Sequence, residues 1–263
     1  MKKYNFIPNW YLLLLLSLIM AGNCLFAFGK SKQAYFQLKV YHYESDEQEK
    51  IIDQYLELAY LPALHKLGFK DIGVFKPLEN AAGQDRLVYV FISASDLNLL
   101  VNLDQRLAND QKYLLAGKAY MEASYSKPPF KRLETIWMKA FEGMPKSALP
   151  KLSAEKSKRI YELRSYEAAT EQLSANKIAM FNNGEIDIFK KLNFNAVFYG
   201  QVIAGSTMPN LMYLTTFESM EDRNIHWKDF GPLYKPMRDL PQYQNNVSKN
   251  VTLLLHPTAY SDI

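Results

Sequence analysis

From Tyr35 to Tyr41 and again from Ile160 to Tyr166, apolar and polar residues alternate, the two-residue period of a half-buried strand. Between Gln172 and Leu192 the period changes: Ile178, Phe181, Ile186 and Phe189 supply the apolar positions of a helix. Asn195–Ile203 then reads as β-rich, Gly205 and Pro209 mark a connection, and Leu211–Phe217 reads as the next strand. Ser219, with Asp222 three residues on, has the form of a capped helix start, and Asn250–Leu255 closes the series. The pattern predicts strand, helix, strand, strand, helix, strand.

The same order occurs twice. Tyr35–Tyr41 aligns with Ile160–Tyr166 at an offset of 125, and His65–Phe69 aligns with Lys190–Phe194 at the same offset. Leu87–Val90 aligns with Leu211–Leu214 at 124. Within the second block Gly68 stands opposite Asn193, the two residues that best accept the left-handed backbone just past a helix end. Pro62 falls inside the first helix of half one and predicts a kink or a new turn there. The chain therefore reads as a first unit at residues 30–142, a linker at 143–159 and a second unit at 160–263. Each βαββαβ unit has the order of a ferredoxin-like fold, an α+β class. One face of such a sheet is left bare by its helices, so the expectation is a tandem pair closing face to face, a dimeric α/β-barrel within one chain.

The apolar run Leu12–Ile19 behind Lys2 and Lys3, with Ala27 and Gly29 beyond it, reads instead as a cleaved export signal over residues 1–29. An uncleaved anchor or a lipoprotein cysteine at Cys24 are the alternatives, the latter weakened by Asn23 before it. The expected location is periplasmic or secreted. Of the 31 basic and 27 acidic residues, this segment holds two lysines and no acid, so the remainder is close to neutral and offers no bulk charge for nucleic acid. It also holds the single cysteine, which excludes thiol chemistry from the mature chain.

Five segments of the second half, in order, resemble the NIPSNAP family: Tyr161–Tyr166, Val197–Gly200, Met208–Leu211, His226–Phe230 and Pro257–Ile263. The resemblance covers residues 158–263 strongly and 35–142 more weakly. It implies the dimeric α/β-barrel fold in an exported form with two units, and it brings no catalytic residue set.

Six residues are candidates for binding a ligand. Glu162 and Arg164 share a strand face with Tyr166, where half one has Gln37, Lys39 and Tyr41. On that reading Glu162 and Arg164 either satisfy a polar sheet face or line the space between the two sheets. His226 has no counterpart in half one, and its spacing from Asp222 suits two metal ligands, although a site needs three or four. Core or surface roles for His226 and Trp227 compete with that reading. Asn210 follows a Met-Pro turn and either bonds its own backbone or presents an amide to a pocket. Tyr199 and Tyr213 lie on adjacent strands and could supply hydroxyls.

No phosphate loop, nucleophile elbow or metal-binding motif is present in the sequence, so no cofactor and no metal are expected. The leading expectation is a module that binds a small apolar ligand or a protein partner, with self-association open. The alternative is an oxidoreductase, cofactor-poor or haem-using, as in some relatives by fold, and haem would then require a histidine facing a cavity.

Overall fold

The computed structural model describes residues 32–81 and 85–263. The export signal, the anchor alternative and Cys24 all lie outside the described residues.

Eight strands form a closed barrel, each antiparallel to both neighbours. Half one supplies β1 (Tyr35–Tyr43), β2 (Gly73–Pro77), β3 (Arg86–Ala94) and β4 (Arg132–Ala140). Half two supplies β5 (Ile160–Glu167), β6 (Phe198–Ala204), β7 (Asn210–Phe217) and β8 (Lys249–Pro257). The order around the barrel is β1-β3-β2-β8-β5-β7-β6-β4, so each half contributes four neighbouring strands in the same internal order. The expected arrangement of two ferredoxin-like sheets packed face to face is corrected here. The sheets join edge to edge, β2 to β8 and β4 to β6, which leaves no unpaired strand edge.

The barrel interior is packed with side chains from both halves. Phe91 of β3 stacks on Phe198 of β6 with ring centres 4.8 Å apart, and Phe75 meets Tyr161 at 4.8 Å. Segment Pro257–Ile263 ties half two to half one. Ser261 Oγ accepts from the Val74 amide at 2.9 Å, Asp262 accepts from the Ile72 amide at 2.8 Å, and Ile263 is buried in the interior cluster.

The helices lie outside the barrel. In half one, α1 (Asp46–Tyr55) runs through a π-helical turn at Leu56–Tyr60 into α2 (Leu61–Lys66), and Pro62 sits in the first turn of α2, starting a new segment without breaking the rod. Four short helices follow β3: α3 (Leu97–Val101), α4 (Leu103–Leu107), α5 (Gln111–Ala116) and α6 (Lys118–Met121). In half two, α7 (Glu171–Met180) continues through a π-helical turn at Phe181–Glu185 into α8 (Ile186–Lys191). Both π turns sit 125 residues apart. Both helices end in left-handed residues, Gly68 at φ 89° and Asn193 at φ 56°, as the aligned pair predicts. α9 (Met220–Arg238) is capped by Ser219, whose hydroxyl accepts from the Asp222 amide at 3.2 Å.

Strand register corrects one detail of the repeat. Lys39 pairs with Val90 and Arg164 with Tyr213, so Tyr213 corresponds to Val90, an offset of 123 for this block. A one-residue slip exchanges the two faces of a strand. Tyr89 accordingly packs in the barrel interior, while Tyr213 faces the helices.

Candidate functional site

Alternation along β5 sends Tyr161 and Leu163 inward and Glu162, Arg164 and Tyr166 outward, against α7 and α9. Of the two readings of Glu162 and Arg164, the one that places them in the space between the two sheets is wrong, because that space is the apolar barrel interior. The two residues instead sit under the helices of half two. Glu162 is fully buried and accepts three charge-assisted bonds, from Arg164 Nε at 2.5 Å, Arg223 Nε at 2.7 Å and Trp227 Nε1 at 2.7 Å. One carboxylate thus faces two guanidinium groups, and the cluster carries a net positive charge.

Arg164 extends from this anchor into a cavity of about 480 Å³ between the sheet and the helices. Its guanidinium lies 3.8 Å from the centre of the Trp227 ring. Nη1 donates to the Tyr166 hydroxyl at 3.2 Å, and that hydroxyl is 2.8 Å from the Tyr213 hydroxyl. Nη2 makes no hydrogen bond to the described residues. Burial alone lowers the proton affinity of Arg164, but Tyr213, Tyr166 and Glu162 together hold it above the ordinary arginine range, so it is charged. Burial, with Tyr166 beside it, pushes the Tyr213 phenol well above its usual value, so it stays neutral.

The opposite wall carries a second ion pair. Lys177 Nζ donates to Glu185 Oε2 at 2.7 Å and to the Tyr234 hydroxyl at 3.0 Å, and both charged side chains are almost fully buried. Lys177 is on α7 and Glu185 closes the π turn, where the extra residue per turn redirects the following side chain. Burial raises the pKa of Glu185, opposed by Lys177 and then by Arg164. Trp227, Phe230 and Tyr234 supply aromatic wall, and residues Tyr243–Val247 border the same cavity.

The other candidates lie elsewhere. Tyr199 stacks beside Tyr213, ring centres 5.6 Å apart, as part of the aromatic core. Asn210 is buried on the opposite face of β7, where its amide bonds the hydroxyls of Ser165 and Thr207 and not its own backbone. His226 packs edge-on against Phe194 and Phe217, and its Nδ1 meets the Asp222 carbonyl oxygen at 2.8 Å. It does not line the cavity. Trp227 is both a core anchor and a cavity wall.

Sequence reasoning did not single out Lys177, Glu185, Tyr234 or Arg223. The repeat held a usable signal for two of them, because the offset of 125 places Ile52 opposite Lys177 and Tyr60 opposite Glu185. Two apolar positions of half one have become a buried ion pair in half two. In half one the corresponding space is filled by tyrosines, with Tyr55 stacked on Tyr120 at 3.9 Å and Tyr55 on Tyr60 at 5.5 Å.

Residues 161–262 match the NIPSNAP family. The second half of this chain is a NIPSNAP domain. No curated protein matches the chain in sequence. Among solved structures, a candidate monooxygenase from Fusobacterium nucleatum aligns with TM-score 0.54 and 8% identity, covering 86% of this chain and 93% of its own. A candidate monooxygenase from Lactobacillus acidophilus aligns with TM-score 0.50 and 10% identity, over 86% and 94%. A candidate chlorite dismutase aligns with TM-score 0.50 and 8% identity, over 87% and 97%. These likenesses show the dimeric α/β-barrel fold over the 86–87% of the chain that they cover.

The cavity of the NIPSNAP domain does not suit a histidine-ligated haem. No histidine is among its lining residues, and His226 is held in the aromatic core. No cluster of three metal-ligating side chains occurs among the described residues, and none of their helices is long and apolar enough to cross a membrane.

Proposed function

We propose that this protein is a small-molecule-binding protein whose NIPSNAP domain holds an organic anion with an aromatic or flat apolar body. The observation that carries this reading is Arg164. Glu162 and Trp227 fix its guanidinium in place, and Nη2, at the wall of a cavity of about 480 Å³, makes no hydrogen bond to the described residues. An arginine held in this way is pre-organised for a carboxylate. The polar groups on both walls depart from the apolar ligand expected from sequence, since Arg164, Lys177 and Glu185 all line the cavity.

The test is a titration of the full chain with benzoate, followed by tryptophan fluorescence. Saturable binding is expected, with neutral benzamide at least ~10-fold weaker because it lacks the charge-assisted contact. Equal affinity for the two, or no binding of either, would remove this reading. A second reading, that the bound molecule is a substrate of a cofactor-poor oxidoreductase, draws support from the fold shared with the candidate monooxygenases. Export through residues 1–29 belongs to the same proposal, and sequencing the amino terminus of protein secreted by a bacterial host tests it. Self-association of the tandem barrel is also proposed, to be read by sedimentation.

A further inference from the structure

The two walls of the cavity present complementary free atoms. Glu185 Oε2 is held by Lys177, which is held in turn by the Tyr234 hydroxyl, so the carboxylate has a fixed orientation. Its other oxygen, Oε1, makes no hydrogen bond to the described residues, and the residue as a whole is 2% exposed. Facing it in the same cavity is Arg164, whose Nη2 likewise makes no hydrogen bond to the described residues. A carboxylate with one anchored and one free oxygen, beside a fixed cation, is an arrangement for taking a proton from a substrate whose negative charge the cation holds.

We propose that the cavity catalyses proton transfer at the carbon next to the carbonyl of an aromatic 2-oxo acid, with Glu185 Oε1 as acceptor and Arg164 holding the substrate carboxylate. This rests on the anion-binding reading above. In the step, the C–H bond breaks, its electron pair becomes the C=C bond of an enolate, and the proton moves to Oε1. The negative charge gathers on the former carbonyl oxygen, within the field of Arg164. The proton returns to carbon, giving exchange with solvent, or oxygen takes one up, giving the enol. Nothing is oxidised or reduced and no second reactant is needed. Burial favours protonated Glu185, while Lys177 and Arg164 oppose it, and such a balance moves a carboxyl toward the range useful to a general base. Trp227, Phe230 and Tyr234 offer faces for an aromatic side chain.

The experiment uses the full chain and phenylpyruvate in D2O, with loss of the methylene proton signal read by NMR and binding read in parallel by tryptophan fluorescence. Exchange faster than in buffer is expected. Glu185→Gln should slow it at least ~100-fold while phenylpyruvate binding changes less than ~3-fold, the signature of a lost base. Arg164→Lys should mainly weaken binding. Should Glu185→Gln fail to fold, Glu185→Asp keeps the charge opposite Lys177 and should still slow exchange, because the shorter side chain withdraws the free oxygen. The proposal is overturned if phenylpyruvate binds but exchanges at the buffer rate, or if Glu185→Gln exchanges as fast as the parent. If benzoate and phenylpyruvate both fail to bind, the anion-binding reading falls and this one with it.

Discussion

Arg164 lies against the indole of Trp227, its guanidinium 3.8 Å from the ring centre, and both side chains donate to the same carboxylate, Glu162. Two elements meet there, because Glu162 and Arg164 come from β5 and Trp227 and Arg223 from α9. Removing a buried charge that holds two others is expensive, since the partners stay buried without compensation. Glu162→Ala should therefore destabilise the fold by about 3–5 kcal/mol. Urea denaturation followed by far-UV circular dichroism measures this, and a loss below about 1 kcal/mol would mean that Arg164 and Arg223 find other partners at little expense.

Arg164 itself has a natural comparison in Lys39, which occupies the corresponding place in half one. Lys39 extends over the Tyr60 ring, 5.3 Å from its centre, and burial lowers its pKa despite Asp104 nearby. A lysine thus fits the position but has no planar fork with which to bond a carboxylate and a phenol together. Arg164→Lys should fold normally and bind benzoate ~10- to 100-fold more weakly, matching the loss of one or two charge-assisted hydrogen bonds. Unchanged affinity in the titration would move the anion site away from Arg164.

Much of the fold was legible because the chain repeats itself. The Gly68 and Asn193 pair located two helix ends from one physical requirement, a left-handed backbone, and the alternation at Tyr35–Tyr41 and Ile160–Tyr166 located two strands. Closure of the barrel was less accessible, since β2–β8 and β4–β6 pair residues far apart in sequence. The π turns were invisible for a different reason: Leu56–Tyr60 and Phe181–Glu185 share no residue at any aligned position. Of the candidate site, Glu162, Arg164 and Tyr213 came together as a group, whereas Tyr199, Asn210 and His226 went elsewhere. The misses follow from treating each polar residue singly. Lys177 lies on the buried side of its helix and acquires meaning only with Glu185, eight residues on and beyond a turn of altered pitch.

Glu185 makes the stability of the fold depend on pH. Its folded-state pKa is raised, first by burial, above the unfolded value of about 4.3. Between those two values the folded state binds more protons than the unfolded state, so stability falls as pH rises through the window. Glu185→Gln removes this contribution. The stability difference, parent minus variant, should decrease as pH rises above the unfolded value. Urea midpoints at several pH values check it. A difference that grew with pH would show Glu185 to be stabilised as the carboxylate, with Lys177 dominating over burial.

Gly184 precedes Glu185 in the π turn with φ at 152°, a region that other residues occupy only under strain. A Cβ built there would also lie 2.5 Å from the Met237 terminal methyl, but that methyl ends a flexible side chain and can move away. Backbone strain should therefore be the larger effect, and Gly184→Ala should destabilise the fold by about 1–3 kcal/mol. Gly68 offers the control, because at φ 89° it has no atom within 4 Å of the added carbon. Gly68→Ala should lose about 1 kcal/mol from the backbone alone. If backbone strain governs Gly184, adding Met237→Ala to Gly184→Ala will restore little of the lost stability in urea denaturation. Full recovery in the double variant would assign the loss to the methyl contact and leave the π turn itself unstrained.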